Sequence, residues 1–185
     1  MAKPLLVGVS GGIAAYKVPA LLRDLMRLGY APRCILTKHA TQFVSPLALA
    51  AITGEQVWTD EDLESGRISH VEMARYADTF LVVPATANGM AKFANGIADE
   101  ILSSTYLMFR GSFIWVPAMH EEMWEHEATQ KNVEILSRRH GAPVGPVSGA
   151  LCLGDIGKGR MSHEDMIITA VALSGKGALT QLVDK

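Results

Sequence analysis

The chain has 185 residues, with 17 Lys and Arg against 19 Asp and Glu and a formal net charge of −2, so no basic surplus marks a nucleic-acid or polyanion partner. Its hydrophobic share is 49% before 17 glycines are counted, whereas apolar residues and glycine together reach only about 45–50% in soluble domains. No uninterrupted apolar run reaches the roughly 18 residues of a membrane span, so subunit interfaces are the expected place to bury the surplus.

The length predicts one domain. Two cysteines, Cys34 and Cys152, make neither a disulfide framework nor a zinc site, and Met1-Ala2-Lys3-Pro4 opens without a signal-peptide pattern. The expectation is a cytoplasmic protein.

Residues 5–9 read as a buried strand, followed by the turn Ser10-Gly11-Gly12 and a helix with Leu21, Leu22, Leu25 and Leu28 on its core face. Residues 33–37 read as a second strand. Residues 39–53 read as helical with a restart at Ser45-Pro46, and 55–69 as polar and irregular. A short helix follows at 70–76. Phe80-Leu81-Val82-Val83 reads as a third buried strand, and Met90, Phe93, Ala94, Ile97, Ala98 and Ile101 predict a helix from about Asn88 onward.

Residues 112–116 make a fourth strand, 129–139 a helix capped by Thr129, and 143–147 a short fifth strand. Five glycines in 148–161 predict a loop of lid length, and Ser162 would cap a last helix with Met166, Ile167, Ala170 and Val171 inward. Strands alternating with helices predict an α/β fold, a doubly wound parallel sheet of Rossmann or flavodoxin-like type. Such sheets bind ligands at the carboxyl ends of their strands, where Ser10-Gly11-Gly12, Thr37 and Pro84-Ala85-Thr86-Ala87-Asn88 all fall. Small residues there leave backbone N–H groups and a helix N-terminus facing one point, suited to a phosphate or a flavin ring edge.

Two better-known nucleotide motifs fail. No Gly-Lys-Ser/Thr closes the first turn, and the Gly-x-Gly-x-x-Gly spacing is absent, with Thr37-Lys38 where a ribose-binding acid would stand. His120-Glu121 with His126 misses the zinc-protease spacing, because Trp124 occupies the second histidine's place. No metal is expected, Trp124 reads as packing, and His39, His140 and His163 read as surface residues.

Several stretches together resemble the flavin-containing cysteine decarboxylases. They are Ser10 to Lys17, His70-Val71-Glu72, Pro84 to Asn88, Gly96-Ile97-Ala98-Asp99, Pro117-Ala118-Met119 with Trp124, and Gly154-Asp155-Ile156-Gly157 with Gly159-Arg160-Met161. The likeness covers about residues 4–172 and leans towards the coenzyme A branch of that family. It implies FMN held at a subunit interface, in trimers that often build dodecamers. The flavin would oxidise the substrate cysteine to a thioaldehyde, whose C=S group takes up the electron pair released as CO2 leaves. Residues 1–174 would form the single FMN-binding domain, with 175–185 as a tail like the linker that leads into a ligase domain in fused bacterial forms.

Carried over by position, the resemblance implies His70 as the active-site histidine, handling the thiol proton. Flavin contacts fall on Ser10, Gly11, Gly12, Ile13, Thr37, Phe43, Pro84, Ala85, Thr86, Asn88 and Met119. Ala118, Met119 and His120 fall on the substrate side. Two residues depart from the pattern. His120 stands where the family has an asparagine for the substrate carboxylate, and Cys152, the counterpart of a catalytic thiol, is displaced by one residue in Leu151-Cys152-Leu153-Gly154-Asp155.

The implied reaction is decarboxylation of 4′-phosphopantothenoylcysteine to 4′-phosphopantetheine. The alternative is oxidative decarboxylation of a peptide's C-terminal cysteine to an aminoenethiol. A non-catalytic regulatory flavoprotein is a third reading, against which His70 counts, and a flavin prenyltransferase fits residues 89–99 and 154–161 less well.

Overall fold

A computed structural model describes residues 2–64, 69–151, 154 and 156–174. Cys152 and the tail from 175 lie outside the described residues. Four strands, β1 (Lys3–Val9), β2 (Tyr30–Leu36), β3 (Thr79–Ala85) and β4 (Ser112–Pro117), form one parallel sheet in the order β2-β1-β3-β4. That order is flavodoxin-like and reverses direction between β1 and β3.

Side chains alternate between two apolar layers, as the two-residue period of a strand requires. Leu5, Val7, Val9, Leu81, Val83, Ile114 and Val116 face one layer, with α1 (Val18–Arg27), α2 (Pro46–Thr53) and α9 (Glu164–Ser174). Leu6, Phe80, Val82, Phe113 and Trp115 face the other. There they meet α4 (Ser69–Ala74), α5 (Ala87–Asn95), α6 (Ile101–Met108) and α8 (Glu127–His140). Gly8 lets α6 lie close on the sheet: a Cβ there would stand 2.4 Å from Leu102 Cδ1.

The sequence reading needs correction in several places. The predicted helix through Ile101 is two helices. Gly96 takes a left-handed φ of 71° and ends α5, leaving Ile97 and Ala98 exposed, and α6 restarts at Ile101. Residues 55–64 are more ordered than read: α3 spans Asp60–Glu64, and Trp58 bridges β2 through hydrogen bonds to Cys34 and Leu36.

The fifth strand is absent from the main sheet. Pro143 and Pro146 have no N–H to give a ladder, so Val144 N bonds once to Trp115 O, at 3.0 Å, and the chain turns away. It forms an antiparallel hairpin instead, β5 (Val147–Ala150) and β6 (Ile156–Arg160), where a loop was predicted.

Helix ends shift too. His126, not Thr129, caps α8, and Thr129 is buried inside it. Leu28 and Met166 are exposed, since Leu28 sits at the α1 C-terminus beyond the packed turns. The Ser162 hydroxyl donates to Val144 O rather than accepting from an N–H at the start of α9. His140 is half-buried, not superficial: Nε2 lies 2.7 Å from the Tyr106 hydroxyl and the ring packs against Phe113.

Candidate functional site

A cavity of about 880 Å³ opens where β1, β3 and β4 end, across the point at which strand order reverses. This is the place where ligands bind in doubly wound sheets, and the volume is near the top of the roughly 300–1,000 Å³ range of ligand pockets. The turn after β1 supplies Ser10, Gly11, Gly12 and Ile13, and the turn after β2 supplies Thr37 and His39. Thr86 to Gly89 come from the turn after β3, Ala118, Met119 and His120 from the turn after β4, and Gly159 to Met161 from β6 and its end.

Local bonding explains how distant turns converge. The buried Ser10 hydroxyl donates to Pro84 O at 2.7 Å and accepts from Thr86 N at 3.0 Å. Thr86 in turn caps α5, its Oγ1 accepting from Gly89 N at 3.3 Å. Thr37 Oγ1 accepts from Ala40 N, stabilising the 3-10 turn Ala40–Gln42.

Asp60, which no sequence motif singles out, accepts from Lys38 N through one oxygen and from Ile101 N through the other, both at 2.8 Å. It ties the β2 turn to the start of α6. Gly11 lies against the β2 turn so closely that a Cβ would stand 2.3 Å from His39 Cβ. The contact is set by backbone, so only glycine fits.

The far wall of the cavity is the β5–β6 hairpin. Met119 N donates to Gly159 O at 2.9 Å, and Glu121 Oε1 accepts from Lys158 N at 2.6 Å, so β6 is bonded to the segment after β4. His120 caps the short helix α7 (Glu121–Glu125), and its Nδ1 meets the Glu122 carboxylate. Glu122's own backbone N–H and then the His120 ring hold that carboxyl below the usual range. Glu100 also lines the cavity and is held by Lys92 at 2.8 Å. Burial pushes its carboxyl up, against the pull of Lys92.

Of the residues read from sequence, Ser10, Gly11, Gly12, Ile13, Thr37, Thr86, Asn88, Ala118, Met119 and His120 come together at this cavity. Pro84 and Ala85 lie buried in β3 beneath it. Phe43 is exposed after the 3-10 turn, and His70 is half-buried on α4; neither lines the cavity of its own chain. The His70 Nδ1 and the neighbouring Ser69 Oγ are buried with no hydrogen-bond partner among the described residues.

His39, read as a surface residue, is exposed yet lines the cavity, as do Lys17, Glu100 and Arg160. Trp124 is buried packing. Cys34 is fully buried, and burial pushes its thiol up to about 12, which leaves it unreactive. Among the described residues, no three His, Cys, Asp or Glu gather as a metal site, and no helix is long and apolar enough to cross a membrane.

The family profile described as Flavoprotein matches residues 1–174. The chain belongs to the flavoprotein family. It is 40% identical over 171 residues to the coenzyme A biosynthesis bifunctional protein CoaBC of Mycobacterium tuberculosis, a match covering 92% of this chain and 41% of that relative. The chain thus spans about two fifths of the length of the curated relatives it matches.

Among solved structures, it superposes on a PPC decarboxylase mutant complexed with pantothenoylaminoethenethiol with a TM-score of 0.86. The identity is 27%, over 94% of this chain and 98% of that one. The FMN-dependent cysteine decarboxylase SpaF gives a TM-score of 0.80 at 32% identity, covering 94% of this chain and 97% of that chain. These likenesses agree with the flavodoxin-like strand order seen directly.

Proposed function

We propose that this flavoprotein is an FMN-dependent decarboxylase of 4′-phosphopantothenoylcysteine, yielding 4′-phosphopantetheine for coenzyme A synthesis. The observation that carries the reading is the 40% identity to CoaBC across nearly the whole chain, since that relative's name places it in the same biosynthesis. The site fits the cofactor on its own evidence. Gly11 and Gly12 line the cavity with backbone alone, a Cβ on Gly12 would stand 3.2 Å from Thr86 Cγ2 across it, and the cavity mixes apolar walls (Ile13, Ala14, Met119) with hydroxyl and amide groups at its base.

FMN, when bound, supplies the two-electron oxidation of the substrate cysteine that makes loss of CO2 possible. The Ser10–Gly12 turn, Thr37, Thr86 and Asn88 would hold it, with Ser10 acting through the two turns it fastens. His120 replaces an amide as the group facing the substrate carboxylate. It can donate a ring N–H and carries a charge when protonated, and Glu122 fixes its orientation. His70 moves the thiol proton. Cys152 is proposed as the thiol that would assist when the electrons taken up by the cofactor return to the product.

The assembly is proposed to be a trimer or dodecamer, with residues 1–174 as its FMN-binding unit. Two observations support an interface at the site: His70 lies away from its own chain's cavity, and Ile13 and Tyr16 expose more than half of their surface at the cavity edge.

Product mass tests the reaction. The purified protein should be yellow and should convert the substrate with loss of CO2 alone and no added oxidant; recovery of untouched substrate would end this reading. The likeness to SpaF favours a second reading, a peptide's C-terminal cysteine as substrate. A peptide product lighter by CO2 plus two hydrogens would select it.

A further inference from the structure

We infer that Arg160 is the specificity residue that reads a phosphate monoester on the substrate. It lies on β6, half-buried, and lines the cavity. Its side chain is laid across the opposite strand at Gly149. A Cβ there would stand 2.9 Å from Arg160 Nη1 and 3.0 Å from its Cδ, so the missing side chain gives the guanidinium its bed.

The charge has no counterpart among the described residues. Arg27, Arg33 and Arg138 pair with carboxylates, and Arg139 donates to the Phe93 and Ala94 carbonyls. Arg23, Arg75 and Arg110 point into water. Arg160 has neither arrangement: it is half-buried, with no hydrogen bond or ion pair among the described residues. A guanidinium withdrawn from water without an anion costs free energy unless a ligand supplies one.

Among the described residues, no uncommitted carboxylate lines the cavity. Glu100 is engaged by Lys92, while Lys17 adds a second cation to the lining, without a carboxylate partner among the described residues. Five N–H donors in a planar fork suit a phosphate oxygen pair better than any neutral group.

Two phosphates are candidates, the flavin's and the substrate's. The hairpin decides for the substrate. His120 already faces the substrate carboxylate and the backbone donors suited to the cofactor stand in the turn after β1, which leaves the substrate's phosphate, at the other end of the molecule from that carboxylate, for a guanidinium drawn along β5 to Gly149. This inference rests on the proposed decarboxylation and deepens it, because a peptide's C-terminal cysteine carries no such phosphate.

The test compares wild type, R160Q and R160K on 4′-phosphopantothenoylcysteine and on pantothenoylcysteine, with FMN saturating. Wild type should show the lower KM for the phosphorylated compound. R160Q should raise that KM about 10- to 100-fold relative to its effect on pantothenoylcysteine, and R160K should retain part of the preference as a point charge. Equal losses on both compounds, or an undiminished preference, would overturn the assignment.

Flavin titration separates the other phosphate source. If R160Q weakens FMN binding and leaves riboflavin binding unchanged, the guanidinium serves the cofactor and the inference fails. Calorimetry with phosphopantetheine and pantetheine supplies a reading free of turnover. Should neither substrate lose CO2 while wild type, but not R160Q, prefers phosphopantetheine, the proposed reaction falls and Arg160 keeps its role.

Discussion

The Ser10 hydroxyl joins two turns 74 residues apart in the chain, and beside it Gly11 touches a third turn at His39. Geometry at this scale depends on single atoms. Gly11→Ala would drive a methyl into the His39 Cβ and backbone, a misfit of the overpacking kind that costs about 1–3 kcal/mol. Thermal unfolding of the variant should show that loss, and flavin titration a weaker complex. His70→Asn should keep the yellow colour while lowering kcat by about 10²- to 10⁴-fold, the usual range for a lost acid–base group. His70 stands apart from its own chain's cavity. Mixed assemblies of His70→Asn and His120→Ala subunits should therefore recover activity that neither variant shows alone; failure to recover any would place both residues in one subunit's site.

Helix ends carry much of the architecture at the scale of elements. Arg139, near the end of α8, donates to the Phe93 and Ala94 carbonyls and so satisfies the last turn of α5. Its neighbour His140 packs into the Phe113–Tyr106 ring cluster. Burial first, and then the Arg139 charge, lowers the His140 pKa from its ordinary 6.5. The unfolded chain therefore takes up a proton before the folded one does. Stability from the neutral ring is complete above about pH 6.5 and is lost as pH falls through the lowered folded value. His140→Gln, which keeps an acceptor for the Tyr106 hydroxyl, should flatten the acid limb of a Tm-against-pH curve. An unchanged limb would assign the acid sensitivity to other groups.

The whole molecule is a flavodoxin-like sheet whose site is open on one side, with Ile13, Tyr16, Phe43 and Leu47 exposed on the segments that follow β1 and β2. Sedimentation should return a trimer or a multiple of it, and FMN should raise Tm by binding only the folded state; an active, yellow monomer would remove the interface from the reading. Much of this was legible in the residues. Strand runs such as Phe80 to Val83 are long and apolar enough to be read directly, and glycine and hydroxyl turns at their ends mark the ligand side of such a sheet.

Other features were not legible. Helix spacing ran on through Ile97 and Ala98 because periodicity is blind to a single left-handed glycine at 96. The hairpin was hidden because glycine-rich sequence allows loop and strand alike. By itself, the sequence determined the parallel sheet and which turns carry small residues, since both follow from local pattern. Only the tertiary structure decided that β6 bonds to Met119, and that Arg160 lines the cavity without an anion among the described residues while His70 lies elsewhere. Those facts arise from contacts between segments far apart in the chain, for which no local spacing carries a signal.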